Sequence, residues 1–449
     1  MNETAEPMPK SAEQPGSLLV LALLALIVGA VAGVLGALFR LALAQADRLR
    51  DAAIALAHGQ HNGFLLVILA CAAATALAAW LVREFSPSAS GSGIPHVEAV
   101  LHEEVPPAPF QLIPVKFFGG LLAIGAGLAL GREGPTVQMG AGIAHLVGKV
   151  FRRNWPDCRV LLAAGAGAGL ATAFNAPMAG AAFVLEELVR RYEPRIAIAA
   201  LAASATAISV SRLFLGNAPD FQIGALVYPG FEVRPLYFGL GALAGAAAVV
   251  YNYTLLGTLA AAERLRFLPV ELRAALIGAA VGALAWIAPD LVGGGDAISQ
   301  RTLLGVELFA IIPYLFALRL GLGAISYAAG TPGGLFAPML VLGAQLGLFF
   351  GMACQHAFPN LDIQPQGFAV VGMAAFFTGV VRAPVTGIVL VTEMTASVTL
   401  LLPMLMACFV AMLVPTLLQD APIYDSLRER VPGRDQAKGP KPPGHDQGG

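Results

Sequence analysis

Long apolar stretches dominate the chain. Residues 14–39, 52–82, 160–185, 235–262, 320–361 and 394–419 contain no Asp, Glu, Lys or Arg. A helix needs only about 20 apolar residues to cross a bilayer, so each stretch predicts at least one span. Backbone amides have no water partner in lipid, and such runs must be helical wherever they face it. The pattern therefore predicts an all-α, polytopic membrane protein.

Several other apolar segments are too short to span. Residues 117–131 and 134–148 are interrupted and bounded by Lys116, Arg132, Glu133 and Lys149. Short Gly/Pro-interrupted segments at matching places in two halves point to a transporter's binding site near the bilayer midplane. The halves are visible as an internal echo. Residues 174–188 read FNAPMAGAAFVLEEL and residues 381–395 read VRAPVTGIVLVTEMT, with Pro, Gly and Glu recurring at one offset (384 − 177, 387 − 180 and 393 − 186 all give 207). A second pair, Gly131 to Pro135 against Gly334 to Pro338, recurs at 338 − 135 = 203. Two repeats are expected, about 17–220 and 230–420, inside a membrane domain spanning 18–427.

Composition narrows the class further. Of 449 residues 57% are hydrophobic and only 12% charged, against roughly 25% charged in soluble domains. A net charge of −1 leaves no basic field for nucleic acid. The polar start, residues 1–17, is expected to be a cytoplasmic tail rather than a removable signal peptide, and residues 428–449 a disordered tail. Arginines at 152–153, 190–195 and 264–266 and in the C-terminal tail mark the cytoplasmic face, which puts both termini there. Cys71, Cys158, Cys354 and Cys408 are scattered, as small buried residues are, and suggest neither a disulfide framework nor a metal site.

Three segments share one design: Gly91-Ser92-Gly93-Ile94-Pro95, Gly131-Arg132-Glu133-Gly134-Pro135, and GGLFAP at 333–338. Glycine lets backbone bend toward a ligand, and proline in the first turn of a helix wastes no needed donor. Each therefore reads as a helix start, where up to four amide hydrogens are unpaired and the dipole supplies about half a positive charge. An anion could be held there without a lysine. Glu133, a carboxylate in an apolar domain, is costly and marks a functional site; capping its helix or pairing with Arg132 is the structural alternative.

At these residues the sequence resembles the CLC family of chloride channels and transporters, whose motifs are G-S-G-I-P, G-[KR]-E-G-P and G-x-F-x-P. The likeness runs from about Leu18 to Leu427 and includes the AFNAP-x-AG and RAP-x-TG segments. It implies inverted repeats of broken, tilted helices and a homodimer in the inner membrane. It also implies exchange of chloride for protons, the alternative being a passive chloride channel of the same fold.

By the same resemblance Glu133 is the external gate and proton carrier, and Glu187 the internal proton acceptor. Chloride is held by Ser92, Gly93, Ile94, Leu335, Phe336 and Tyr424. Glu98 and Lys116 match charged positions near the inner proton entry, with Glu186 in support. His96 departs from an acid found in bacterial relatives. For Glu187 the residues leave an alternative open, since Glu186–Arg190 and Glu187–Arg191 have the i, i+4 spacing of helix ion pairs. Glu393, which echoes Glu186, is assigned only a structural part. The six histidines outside the C-terminal tail form no H-E-x-x-H helix and no G-x-S-x-G elbow is present, so a membrane-embedded enzyme is not expected. Neither metal nor organic cofactor is implied.

Overall fold

The computed structural model describes residues 16–265 and 267–431. The two expected tails thus lie almost wholly outside the described residues. Within them the chain forms α1 (Leu18–Ala57), α2 (Gly63–Phe85), α3 (Ile94–Leu101), α4 (Leu112–Gly125), α5 (Glu133–Val150), α6 (Trp155–Phe174), α7 (Pro177–Phe183) and α8 (Pro194–Leu215). After a loop come α9 (Arg234–Arg264), α10 (Val270–Ile287), α11 (Asp296–Leu303), α12 (Ile312–Tyr327), α13 (Phe336–Ala357), α14 (Pro365–Val381), α15 (Pro384–Thr395) and α16 (Leu401–Leu417). A final short helix, α17 (Ile423–Arg428), follows.

Seven of these helices are long and apolar enough to cross a membrane, and five shorter apolar ones accompany them. At about 1.5 Å per residue, the 40 residues of α1 run well beyond the roughly 30 Å of hydrocarbon in a bilayer. Their outward side chains are apolar, with Leu19, Leu66, Leu69, Leu213 and Phe409 all more than half exposed. Such a surface suits lipid, which wets leucine as well as a core does.

The centre is packed through small residues. α6 reads AAGAGAGLATAF in its latter part and is almost entirely buried against α5. A Cβ at Gly140 of α5 would strike the Gly165 carbonyl of α6, so the two backbones touch directly. The same contact recurs between Gly343 of α13 and Gly372 of α14.

The echo seen in the sequence is physical. Glu186 accepts from the Val385 and Thr386 amides at the start of α15, at 3.0 and 2.6 Å. Glu393 accepts from the Met178 and Ala179 amides at the start of α7, at 3.1 and 2.8 Å. Donors and acceptors alike are offset by 207 (393 − 186, 385 − 178, 386 − 179). Each segment caps the other, which is the self-complementary pattern of a two-fold relation. Glu186 thus has a cap to hold, as Glu393 does.

Candidate anion site and proton path

The three glycine turns meet. Gly91 donates to the Thr331 carbonyl at 3.1 Å and accepts from the Gly333 amide at 3.1 Å. Gly131 and Gly334 exchange both backbone hydrogen bonds, at 2.8 and 2.7 Å. Left-handed φ at Gly91 (63°) and Gly93 (84°) turns the chain into α3. Three helix starts, those of α3, α5 and α13, are therefore tied together inside the bundle.

Glu133 is the first residue of α5 and is fully buried. Its Oε1 accepts from the Phe336 amide at 2.6 Å, at the first residue of α13. The second oxygen has no partner within the protein. Gly131 and Gly334 flank the carboxylate so closely that a Cβ at either would overlap it. An anionic group thus occupies a place built from two helix N-termini, where charge and amide hydrogens both favour it. The alternative pairing of Glu133 with Arg132 is not adopted. Arg132 instead bonds Asp296 at 2.6 Å, Asp220 at 3.1 Å and the Ala173 carbonyl at 2.8 Å, and Asp220 also holds Arg40 at 2.7 Å.

Ser92 and Tyr424 border the same helix starts. Both are fully buried, and neither hydroxyl is bonded within the protein. A Cβ on Gly134 would lie 2.7 Å from the Ser92 hydroxyl, which places Ser92 on the first turn of α5. The Tyr424 ring packs 5.8 Å from that of Phe336. An unpaired buried hydroxyl costs about 1–3 kcal/mol, so both are donors suited to an anion. Gly93, Ile94 and Leu335, all buried, complete the same junction.

Lys116 reaches the turn that carries Ser92. From α4 its buried ammonium donates to the Ala89 and Gly91 carbonyls, at 3.0 and 2.8 Å, and holds the Ser92 turn in shape. Arg319 of α12 does the same in the second half, donating to the Leu291 and Gly293 carbonyls at 3.1 and 3.0 Å. The offsets agree (319 − 116 = 203; 291 − 89 and 293 − 91 = 202).

Glu187 sits in a π-helical turn, Val184–Leu188, that continues α7. The wider turn sends Glu186 to α15 and Glu187, almost fully buried, into a charge cluster. The predicted i, i+4 pairs are not made. Arg190 leaves the helix at φ 55° and pairs with Glu187 at i, i+3, at 3.3 Å, while Arg191 pairs with Glu193. Glu98 joins the same cluster through Arg190 (3.3 Å) and Arg428 (2.9 Å), and Asp425 joins through Arg190 (2.8 Å). A cavity of about 650 Å³ lined by Glu186, Glu187, Arg190, Arg191 and Arg382 opens beside it. His96 lies at a separate small cavity with His145 and Gln138.

Arg428, Asp425 and Asp220 do not stand out in the sequence, because the partners that join them to the cluster or to Arg40 and Arg132 lie far away along the chain, and Arg190 stands out only as a helix ion-pair partner of Glu186. Arg319 could have been found by carrying Lys116 forward 203 positions. All four cysteines are buried.

Broken helices whose N-termini converge on a buried carboxylate, with unpaired hydroxyls beside it, define a polytopic membrane transporter of small anions. The chain belongs to the voltage-gated chloride channel family, whose profile matches residues 74–416. It is 37% identical over 431 residues to the H(+)/Cl(-) exchange transporter ClcA of Salmonella arizonae, covering 94% of this chain and 90% of that one. The ClcA of Cronobacter sakazakii is 38% identical over 427 residues, with 94% and 91% covered. Among solved structures, a slow cyanobacterial Cl-/H+ antiporter superposes with a TM-score of 0.87 at 32% identity, covering 93% of this chain and 98% of that one.

Proposed function

We infer that this protein exchanges chloride for protons across the membrane. The observation that carries the inference is the Glu133 carboxylate resting on the Phe336 amide where helix starts meet. An acid that binds there only when charged is chloride's rival, and one that leaves on taking a proton is a proton carrier. Chloride loses its water to amide hydrogens at the starts of α3, α5 and α13, through Gly93, Ile94, Leu335 and Phe336, and to the hydroxyls of Ser92 and Tyr424. Glu133 fills and vacates the outer end of that path.

Glu187 is the inner proton acceptor. It is a buried acid whose neighbour Arg190 lines an open cavity, so a proton arriving from water reaches it without crossing lipid. Protons pass between Glu187 and Glu133, and no metal or organic cofactor takes part. Relatives named as exchangers support coupled transport over passive flow. The bias of basic residues about α5, α8 and α9 supports a cytoplasmic Glu187 side with both termini there, and the protein works in the inner membrane. Two subunits, each with its own path, form the working unit.

Chloride-driven proton uptake in proteoliposomes tests the assignment. Wild type is expected to take up protons. Glu133→Gln and Glu187→Gln are both expected to lose proton movement while chloride flux survives. Unchanged proton pumping in the Glu133 variant ends the gate role, and absent uptake by wild type favours a channel.

A further inference from the structure

Three carboxylates converge on Arg190, and each comes from a different part of the path. Glu187 is held at 3.3 Å from the π turn, Glu98 at 3.3 Å from α3, the helix that Ser92 introduces, and Asp425 at 2.8 Å from α17, beside Tyr424. Arg428 adds contacts to Glu98 (2.9 Å) and, at the rim, to Glu104 (3.9 Å) and Asp425 (3.8 Å). Two guanidiniums thus face Glu98, Glu187 and Asp425, with Glu104 at the edge. Fully ionised, the group carries excess negative charge in a partly buried place, a situation that favours taking up a proton.

Arg190 turns the chain in a left-handed conformation, as Ala396 does after α15, and the bend returns its Nε to the Glu187 carbonyl at 3.2 Å. One feature separates this cluster from ordinary scaffolding. The scaffold contacts described above occur twice, as Glu186 with Glu393 and Lys116 with Arg319. This one does not. At the same offset of 207, Glu187 corresponds to Met394 and Arg190 to Ser397.

We propose that Arg190 is a positioning residue that links the proton on Glu187 to the inner end of the chloride path. With Glu187 charged, the guanidinium is shared among three acids and grips α17 and α3 weakly. When Glu187 takes a proton, Arg190 rests on Asp425 and Glu98 alone and draws the two helices together, holding Tyr424 against the Ser92 junction. Proton loading and inner chloride release therefore alternate, which is what prevents an exchanger from leaking. The inference rests on Glu187 serving as the inner proton acceptor.

The test is the proton-to-chloride ratio of the full-length protein in liposomes, read from the reversal potential, for wild type, Glu187→Gln, Arg190→Gln, Arg190→Lys and Asp425→Asn. Arg190→Gln and Asp425→Asn are each expected to lower the ratio severalfold. Their combination should lower it no further than the worse single change, because both act through one link, and Arg190→Lys should recover part of the loss. A folded Arg190→Gln protein with the wild-type ratio overturns the proposal. If that variant does not survive purification, Asp425→Asn decides alone, a wild-type ratio again overturning it. Glu187→Gln pumping protons as well as wild type would instead remove the underlying role of Glu187, whatever the arginine variants do.

Discussion

Gly131→Ala offers a way to displace the Glu133 carboxylate without touching its chemistry. Gly131 has no left-handed φ, so alanine fits its backbone. The three atoms nearest an added Cβ all belong to the Glu133 carboxyl group, and all would lie closer than van der Waals contact. Something must move, and the end of a flexible side chain moves most cheaply. Overpacking of this kind costs about 1–3 kcal/mol, which corresponds to roughly a 5–150-fold bias toward conformations with the carboxylate out of its amide pocket. Chloride flux should persist and lose much of its acceleration by acid, since the carboxylate no longer needs a proton to leave. Proton uptake per chloride should fall. Gly334→Ala makes the contrast, because there a Cβ also lies 2.7 Å from the Gly134 backbone nitrogen, and loss of folded protein is expected instead. Paired chloride and proton flux measurements across pH decide the matter. A Gly131→Ala protein with wild-type coupling and wild-type pH dependence would refute the reasoning.

Other outcomes follow from the same contacts. Lys116→Met should weaken chloride binding by about tenfold, within the roughly 1–3 kcal/mol lost when buried carbonyls lose their donor, as read by titration calorimetry; an affinity equal to wild type would separate the turn from its lysine. Asp220→Asn leaves Arg40 and Arg132 without their shared carboxylate and should lower thermal stability in detergent, toward the lower end of the ~3–5 kcal/mol typical of a broken buried pair. Glu186→Ala and Glu393→Ala each remove a helix cap worth about 1 kcal/mol, so their melting temperatures should fall by similar amounts; a large proton-coupling defect confined to Glu186→Ala would assign it more than a cap.

The helical class and the three helix starts were legible because their physics is local. Charge-free runs state the solvent, and Gly-to-Pro segments state where helices begin. The two-fold echo was legible as an offset of 207, and the reciprocal caps of Glu186 and Glu393 give that offset a contact. The charge cluster was not legible. Its partners lie far apart in sequence, as Glu98 and Arg428 do, and the spacing that was visible, Glu187 to Arg191, misled because a π turn and a left-handed Arg190 end the α-helical register. The bonds of Lys116 were not legible either, because its ammonium is satisfied by two backbone carbonyls of a bent loop, and which carbonyls a fold brings to a side chain leaves no mark in the sequence.

The central claim, that one pocket of peptide hydrogens serves halide and carboxylate by turns, is tested most directly by crystals of the wild type and of Glu133→Gln grown in bromide. Anomalous scattering in the variant should show a bromide peak within hydrogen-bonding distance of the Phe336 amide, at the place the Glu133 Oε1 holds in the wild type. A variant with no halide there, or a wild type in which bromide and the carboxylate rest in that pocket together, would contradict the account.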